Sequence, residues 1–331
     1  GIIETKASFP ESCKYACTVN VTLTDVNGNE LGTLQQEIEA EKECILAEIN
    51  GSARIYEEGL SIFAEGKNFK YTFNKQTGNI DSMIIDGKEQ LYAPTEISAY
   101  RACTDNEKNM KAKWLKLDVW SGENLNYCWY NVYDSIIDGN KITFKASLAP
   151  ISRAPIFRYS IAYTIGEDGT VKVELDGKIR EGCIWLQRLG FVFAFKNKNM
   201  EFDYFGMGPE ESYADLHNCS ALDWYVSRAK DEYVNYILPQ EHGNHIGVRE
   251  LTLEDRITFK AESTFEANVS QYSIDQLIQA KHTDEIGESK ATYVRIDYKN
   301  SGIGSNSCGP ALEEKYRFDD KDIHFVYTIS I

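Results

Sequence analysis

The feature that most constrains this chain is the alternation of strand-length apolar runs with tight-turn dipeptides. Asn27-Gly28, Asp86-Gly87, Asp138-Gly139 and Asp168-Gly169 are pairs that tolerate positive φ and close hairpins. Around them the apolar positions alternate. Val171, Val173 and Leu175 are separated by Lys172 and Glu174, and Ile142, Phe144 and Ala146 by Thr143 and Lys145. A period of two sets one face in a core and the other in water. Residues 191–195 (FVFAF) are continuously apolar, as in a strand covered on both sides. Turns recurring about every 8 to 12 residues predict an all-β fold built on a large antiparallel β-sandwich. Helical periodicity is confined to 273–281. There Ser273 can cap a helix, Gln276 completes a capping box, and Ile274, Leu277 and Ile278 share one face.

A chain of 331 residues can bury a large core without staples. The strand pattern breaks near 52–58. Residues 1–57 read as a few strands, too few for an immunoglobulin-like sandwich of about 100 residues, and 58–331 read as one large β domain. With 35 Lys plus Arg against 51 Asp plus Glu, the formal charge is −16. That sign disfavours a nucleic-acid or anionic-membrane partner. No apolar run is long enough to span a bilayer and no secretory leader is apparent, so the expected location is cytoplasmic. The eight cysteines form no CxxC pair. They are expected to be reduced and mostly buried, without a structural metal.

Four inter-strand segments carry more polar and glycine residues than turns need: 100–107, 204–213, 238–249 and 302–310. Loops between strands are where binding residues sit, although each segment alone reads equally as a solvated turn. Asp105 and Glu107 are either a carboxylate pair or an ion-pair partner for Arg101, and the ion pair is favoured. His242 and His245 have no third ligand nearby in the sequence, so no metal site is expected. Segment 302–309 lacks the lysine of a phosphate loop, and neither GxSxG nor a dinucleotide GxGxxG occurs. Among so many acidic residues a glycosidase carboxyl pair has room to exist, but no spacing identifies one.

Taken in order, these strings resemble a known family. They are Phe73-Asn74-Lys75-Gln76-Thr77-Gly78 with Asp86-Gly87-Lys88, then Arg101-Ala102 with Thr104-Asp105-Asn106. Leu186-Gln187-Arg188-Leu189-Gly190 and Tyr204-Phe205-Gly206 with Gly208-Pro209-Glu210-Glu211 and Tyr213 follow. Pro239-Gln240-Glu241 with Gly243-Asn244, Val248-Arg249, Tyr272-Ser273, Ala280-Lys281-His282 and Asp297-Tyr298 come next, and Gly302-Ile303-Gly304-Ser305-Asn306-Ser307-Cys308-Gly309-Pro310 closes the set. Over roughly 58–331 the chain resembles the C-terminal portion of the β-galactosidases of glycoside hydrolase family 2. The resemblance implies a supersandwich of the galactose mutarotase-like kind, preceded by the end of an immunoglobulin-like linker domain.

The resemblance also places the catalytic acid and nucleophile, both Glu, and the family's magnesium in a TIM barrel, for which this chain has no βα repeat. It therefore implies no catalytic residue, metal or cofactor here. It implies a pocket wall built from Asp105, Asn106, Glu107, Ser305, Asn306, Ser307 and Cys308, with Glu211, Glu241, His242 and Asn244 as secondary loop candidates. Its partners would be a barrel-bearing portion or large chain, a β-galactoside and, in an oligomer, further copies. The docking patch is expected on the face bearing the Asp105 and Ser305 loops. Three departures stand out. Cys308 replaces a stacking Trp, Cys103 replaces a Pro, and the loop from Asn106 to about Lys111 is short. Two alternatives remain. One is a carbohydrate-binding or scaffold sandwich using Trp114, Trp120, Trp185 or Tyr213 as a platform. The other is an aldose epimerase using His242 or His245 with Glu241 or Glu211.

Overall fold

The structure, a computed structural model, describes residues 12–38, 41–42, 46–117, 122–304 and 308–331. Strand β1 (Ser12–Cys13) pairs in parallel with β4 (Glu41–Lys42), and between them in the chain lies the hairpin β2 (Cys17–Thr24) and β3 (Glu30–Ile38). Its turn is the Asn27-Gly28 dipeptide, with Gly28 at φ 86°. Next comes an antiparallel five-stranded meander of β5 (Arg54–Glu58), β6 (Ser61–Glu65), β7 (Phe69–Asn74), β8 (Ile80–Ile85) and β9 (Lys88–Glu89).

The remaining twelve strands form one antiparallel sheet. They are β10 (Leu91–Ser98), β11 (Cys128–Asp138), β12 (Lys141–Pro150), β13 (Phe157–Ile165), β14 (Val171–Ile179), β15 (Arg188–Phe195), β16 (Glu201–Gly208), β17 (Ala221–Arg228), β18 (Asn244–Leu253), β19 (Ile257–Ser270), β20 (Thr292–Asn300) and β21 (Asp322–Ser330). Nine of them run in the order β10-β15-β20-β19-β21-β14-β13-β12-β11. The sheet branches at the 14-residue β19. On one side β19 pairs with β21 near Phe259 and with β20 near Ala267. On the other it pairs with β18, which continues to β16 and β17.

The predicted alternation is what fills the core. Ile142, Phe144, Val171, Val173 and Leu175 are all fully buried, while Lys145 is exposed. In β15 every residue except Val192 is buried, as a two-sided apolar run requires. The meander closes the sandwich over this sheet. Phe73 packs on Tyr163 with ring centroids 4.8 Å apart. The Tyr71 and Tyr163 hydroxyls donate across the layers to the Gly169 and Gly78 carbonyls at 2.8 and 3.0 Å. The described residues thus form an all-β, large antiparallel sandwich.

Helix is scarce, as expected. Helix α1 (Lys111–Trp114) is a single turn. Helix α2 (Ile274–Gln279) carries the predicted reciprocal cap: Gln276 N donates to Ser273 Oγ at 3.1 Å, and Ser273 N donates to Gln276 Oε1 at 3.2 Å. Losing such a cap costs about 1 kcal/mol. Ser273→Ala is therefore expected to lower stability by about that amount in a urea titration.

The cysteines correct one expectation. Of the six whose side chains are described, Cys103 and Cys183 are buried, Cys17 and Cys128 part-buried, and Cys219 and Cys308 exposed. All six are unbridged. No helix among the described residues is long and apolar enough to cross a membrane.

Candidate functional site

The four polar segments meet at one end of the sandwich, and Arg101 is the group that joins them. Its side chain is fully buried. Nη1 donates to the Ser301 carbonyl at 2.7 Å, and Nη2 donates to the Gly302 carbonyl at 2.9 Å and to Glu107 Oε1 at 2.8 Å. The guanidinium also lies 5.9 Å from the centroid of the buried Tyr213 ring. The first segment is thus tied to the last and rests on the second. The third is tied to the first by Asp105 N donating to Gln240 Oε1 at 2.6 Å and Glu241 N donating to the Ala102 carbonyl at 3.0 Å.

Of the two carboxylates in the first segment, Glu107 is the one that makes the ion pair. It is buried, and its Oε2 also accepts from Thr104 N at 3.0 Å and Gln187 Nε2 at 3.3 Å. Asp105 is exposed, and its carboxylate meets no partner among the described residues. Asn106 Nδ2 donates to the Ile303 carbonyl at 3.1 Å. Ser305, Asn306, Ser307 and Trp120 lie outside the described residues. Cys308 is exposed.

Sequence reasoning missed the residue that shapes the final glycine segment. Asp215 accepts from Ile303 N at 2.9 Å and from Gly304 N at 2.7 Å. A Cβ on Gly302 would stand 2.5 Å from Asp215 Oδ1, and one on Gly304 2.7 Å from its Oδ2. Those glycines are required because the carboxylate comes this close to the backbone. No motif marks an Asp that lies between two of the segments and makes only backbone contacts.

Three of the four secondary candidates, Glu241, His242 and Asn244, are buried, and Glu211 is part-buried. Glu241 is buried and paired with Arg295, whose Nη1 reaches both carboxylate oxygens at 2.8 and 2.9 Å. Glu211 accepts from Gly243 N at 2.8 Å and from the Tyr236 hydroxyl. Buried Asn244 donates from Nδ2 to the Ser212 carbonyl and to Glu266 Oε2 at 2.9 and 2.8 Å. His242 Nδ1 sits 2.7 Å from the Gln240 carbonyl, and burial holds its pKa below the usual value. His245 lies between the Met207 carbonyl, the Tyr204 hydroxyl and Glu232. The groups nominated for epimerase chemistry are therefore all engaged with neighbouring groups, Glu241, His242 and His245 buried and Glu211 part-buried. No group of three or more His, Cys, Asp or Glu among the described residues is placed to hold a metal.

Two of the aromatic nominees are interior as well. Trp114 is fully buried, donates from Nε1 to the Trp185 carbonyl at 2.8 Å, and packs edge-on to the Trp185 ring at 4.5 Å. Tyr213 is fully buried. Trp114 and Tyr213 therefore offer no exposed face, and Trp185 is part-buried.

Among the described residues, exposed large apolar side chains lie on the β2–β3 hairpin (Val21, Leu23, Leu34), on β11 (Trp129, Tyr133) and on β17 (Trp224, Val226), while the polar segments and their neighbours contribute Leu117, Leu216, Ile237 and Leu238. In the hairpin register Val21 lies opposite Leu34. Gln35, on the other face, reaches Leu222 of the large sheet. The ribbon's outer face is thus apolar and uncovered among the described residues.

Comparison with known proteins gives a consistent set of relatives. A family model described as "Beta galactosidase small chain" matches residues 65–329. A β-galactosidase from Actinobacillus pleuropneumoniae is 30% identical over 306 residues, which is 91% of this chain and 30% of that protein. A β-galactosidase from Staphylococcus xylosus is 28% identical over 269 residues, 80% of this chain and 27% of that protein. The chain spans about three-tenths of the length of the curated relatives it matches. Among solved structures, an aldose epimerase homologue from C. elegans aligns with a TM-score of 0.44 at 10% identity, over 82% of this chain and 98% of its own.

Proposed function

Because the chain belongs to the β-galactosidase small-chain family, we propose that it walls one side of a β-galactoside pocket whose reacting carboxylates stand on a separate barrel-bearing portion. The observation that carries this reading is the state of the carboxylates at the junction of the four segments. Glycoside hydrolysis needs two carboxyls about 5 to 9 Å apart across the sugar, one of them free to donate a proton. Here Glu107 and Glu241 are already neutralised by Arg101 and Arg295 inside the protein. Among the described residues of the four segments, the carboxylates left facing out are Asp105 and Glu210, with Asn106 and Cys308 at the first and last segments. Such a surface can orient hydroxyls, while the buried Glu107 and Glu241 are held by their arginines and not free to donate a proton.

In this reading Asp105 and Asn106 of the first segment, with Ser305, Asn306 and Ser307 of the last, contact the sugar. Cys308 supplies no aromatic face, so stacking there is lost. Glu107 acts from behind by fixing the loop. The apolar outer face of the β2–β3 ribbon supports a docking role, because a two-stranded ribbon is marginal unless covered. The family's magnesium is assigned to the barrel-bearing portion. The unbridged cysteines support a reducing compartment such as the cytoplasm.

The test is turnover of a nitrophenyl β-galactoside. The chain alone is expected to give no hydrolysis, and addition of the barrel-bearing portion of a family member is expected to restore it. Robust hydrolysis by the chain alone would overturn the reading.

A further inference from the structure

We propose that the groove between β10, the β15–β20 face and the start of α2 is a second carbohydrate site, which takes a neutral hexopyranose independently of the pocket wall. The register of the large sheet builds it. Glu96 of β10 lies opposite Val192, Val192 opposite Arg295, and Arg295 opposite Asn268. These side chains therefore share one face of four adjacent strands, since cross-strand partners point the same way. Asp275, in the first turn of α2, stands over this face, and its Oδ1 accepts from the Tyr100 hydroxyl at 3.2 Å. Two adjoining hollows of about 290 and about 130 Å³ share Glu96, Ser98, Tyr100 and Asp275 in their walls.

Unfilled polar groups point to a ligand. Arg295 is 1% exposed and lines the smaller hollow. Its Nη1 is taken by Glu241, but its Nε and Nη2 are buried with no partner among the described residues. Ser98 Oγ, in the wall of both hollows, is likewise buried and unpartnered. A buried donor without a partner is costly, so these groups favour an incoming acceptor.

The chemistry of the walls narrows the class. The unpartnered guanidinium edge of Arg295 asks for acceptor oxygens, whereas the carboxylates of Glu96 and Asp275 ask for donors. A hydroxyl is both. An anion would meet the two carboxylates, and a simple amine would leave the Arg295 donors unmet. The larger hollow adds Trp129, which is 65% exposed. Its flat face suits the C–H side of a pyranose. Sequence reading missed this groove because its parts come from residues near 96, 129, 275 and 295, none within the four loop segments except at Tyr100.

Calorimetric or saturation-transfer NMR titration of the purified chain with galactose and with glucose tests the proposal. Binding of at least one of them with a Kd of about 1 mM is expected. Trp129→Ala and Glu96→Gln each weaken it about tenfold, while Asp105→Ala leaves it unchanged. Neither substitution removes a core side chain, and an unchanged melting temperature checks the fold. No binding at about one hundred times that concentration would overturn the proposal, as would binding lost in Asp105→Ala and retained in Trp129→Ala. The two readings fail separately. Hydrolysis by the chain alone that disappears in Glu96→Gln would sink the pocket-wall reading and leave the groove as a sugar site, whereas absent binding with restored turnover would do the reverse.

Discussion

Replacing Arg101 by methionine is expected to destabilise the chain by about 3–5 kcal/mol, the loss seen when one partner of a buried ion pair is removed. Methionine fills most of the volume, so the cost is electrostatic rather than a cavity. It strands the Glu107 carboxylate in a buried site and takes the donor from the Ser301 and Gly302 carbonyls. Glu107 keeps Thr104 N and Gln187 Nε2, which offset part of the loss. Glu107→Gln is expected to cost less, because a neutral amide oxygen can still accept from Arg101. The double variant Arg101→Met/Glu107→Met is expected to recover much of the single loss, since no charge is then left unpaired. Urea titrations of wild type, Arg101→Met, Glu107→Met and the double variant close the cycle. A loss below about 1 kcal/mol in the single variant would mean that water reaches Glu107. In a turnover assay with the barrel-bearing portion, Arg101→Met should also fail to restore activity at temperatures where the chain stays folded, because the joined segments come apart.

Local signals in the sequence carried the strands and the one capped helix. The four Gly-containing turn dipeptides, the alternation in 142–146 and 171–175 and the Ser273–Gln276 box each depend on residues within a few positions of one another. They survive folding because the tertiary contacts agree with them. The convergence of the four polar segments was also foreseeable, since every one of them falls at a strand end. The pairing within that junction was not. Arg101 and Glu107 are six residues apart and could be guessed, but Arg295 and Glu241 are 54 apart and Arg188 and Asp297 are 109 apart. Each arginine sits in a stretch where a charged residue reads as solvent-facing. The antiparallel register, not any motif, turns them inward to a carboxylate. Trp114 and Tyr213 failed as platforms for the complementary reason: a large aromatic between strands is indistinguishable by pattern from one on a binding face. Asp215, which touches only backbone, had no sequence signal at all.

The junction also makes stability depend on pH through Glu266, and here the expected effect approaches that of Arg101. As a whole Glu266 is only part-buried, but burial of its carboxyl end pushes its pKa from 4.5 up to about 7. The nearby Asp297 carboxylate pushes the same way, while donation from Asn300 N at 3.0 Å and Asn244 Nδ2 at 2.8 Å pulls it back. The folded chain therefore holds this proton more tightly than the unfolded chain. The stabilisation from protonated Glu266 is fully present below about pH 4.5 and is lost as pH rises to about 7. The shift corresponds to about 3 kcal/mol. His242, held neutral by burial, acts oppositely: its contribution is present above its unfolded value and lost as pH falls. The sum of the two can look flat, so the informative quantity is the difference between wild type and Glu266→Gln at each pH. Glutamine removes the titration at the cost of setting an amide against Asn244. At pH 4.5 the variant is expected to be less stable than wild type. As pH rises to 8 the difference should move in the variant's favour by about 3 kcal/mol, with most of the change between pH 5 and 7. A difference that stays constant across this range would show that Glu266 titrates as an ordinary solvated carboxylate, and the enclosure of its carboxyl by Asn244, Asn300 and Asp297 would have to be abandoned.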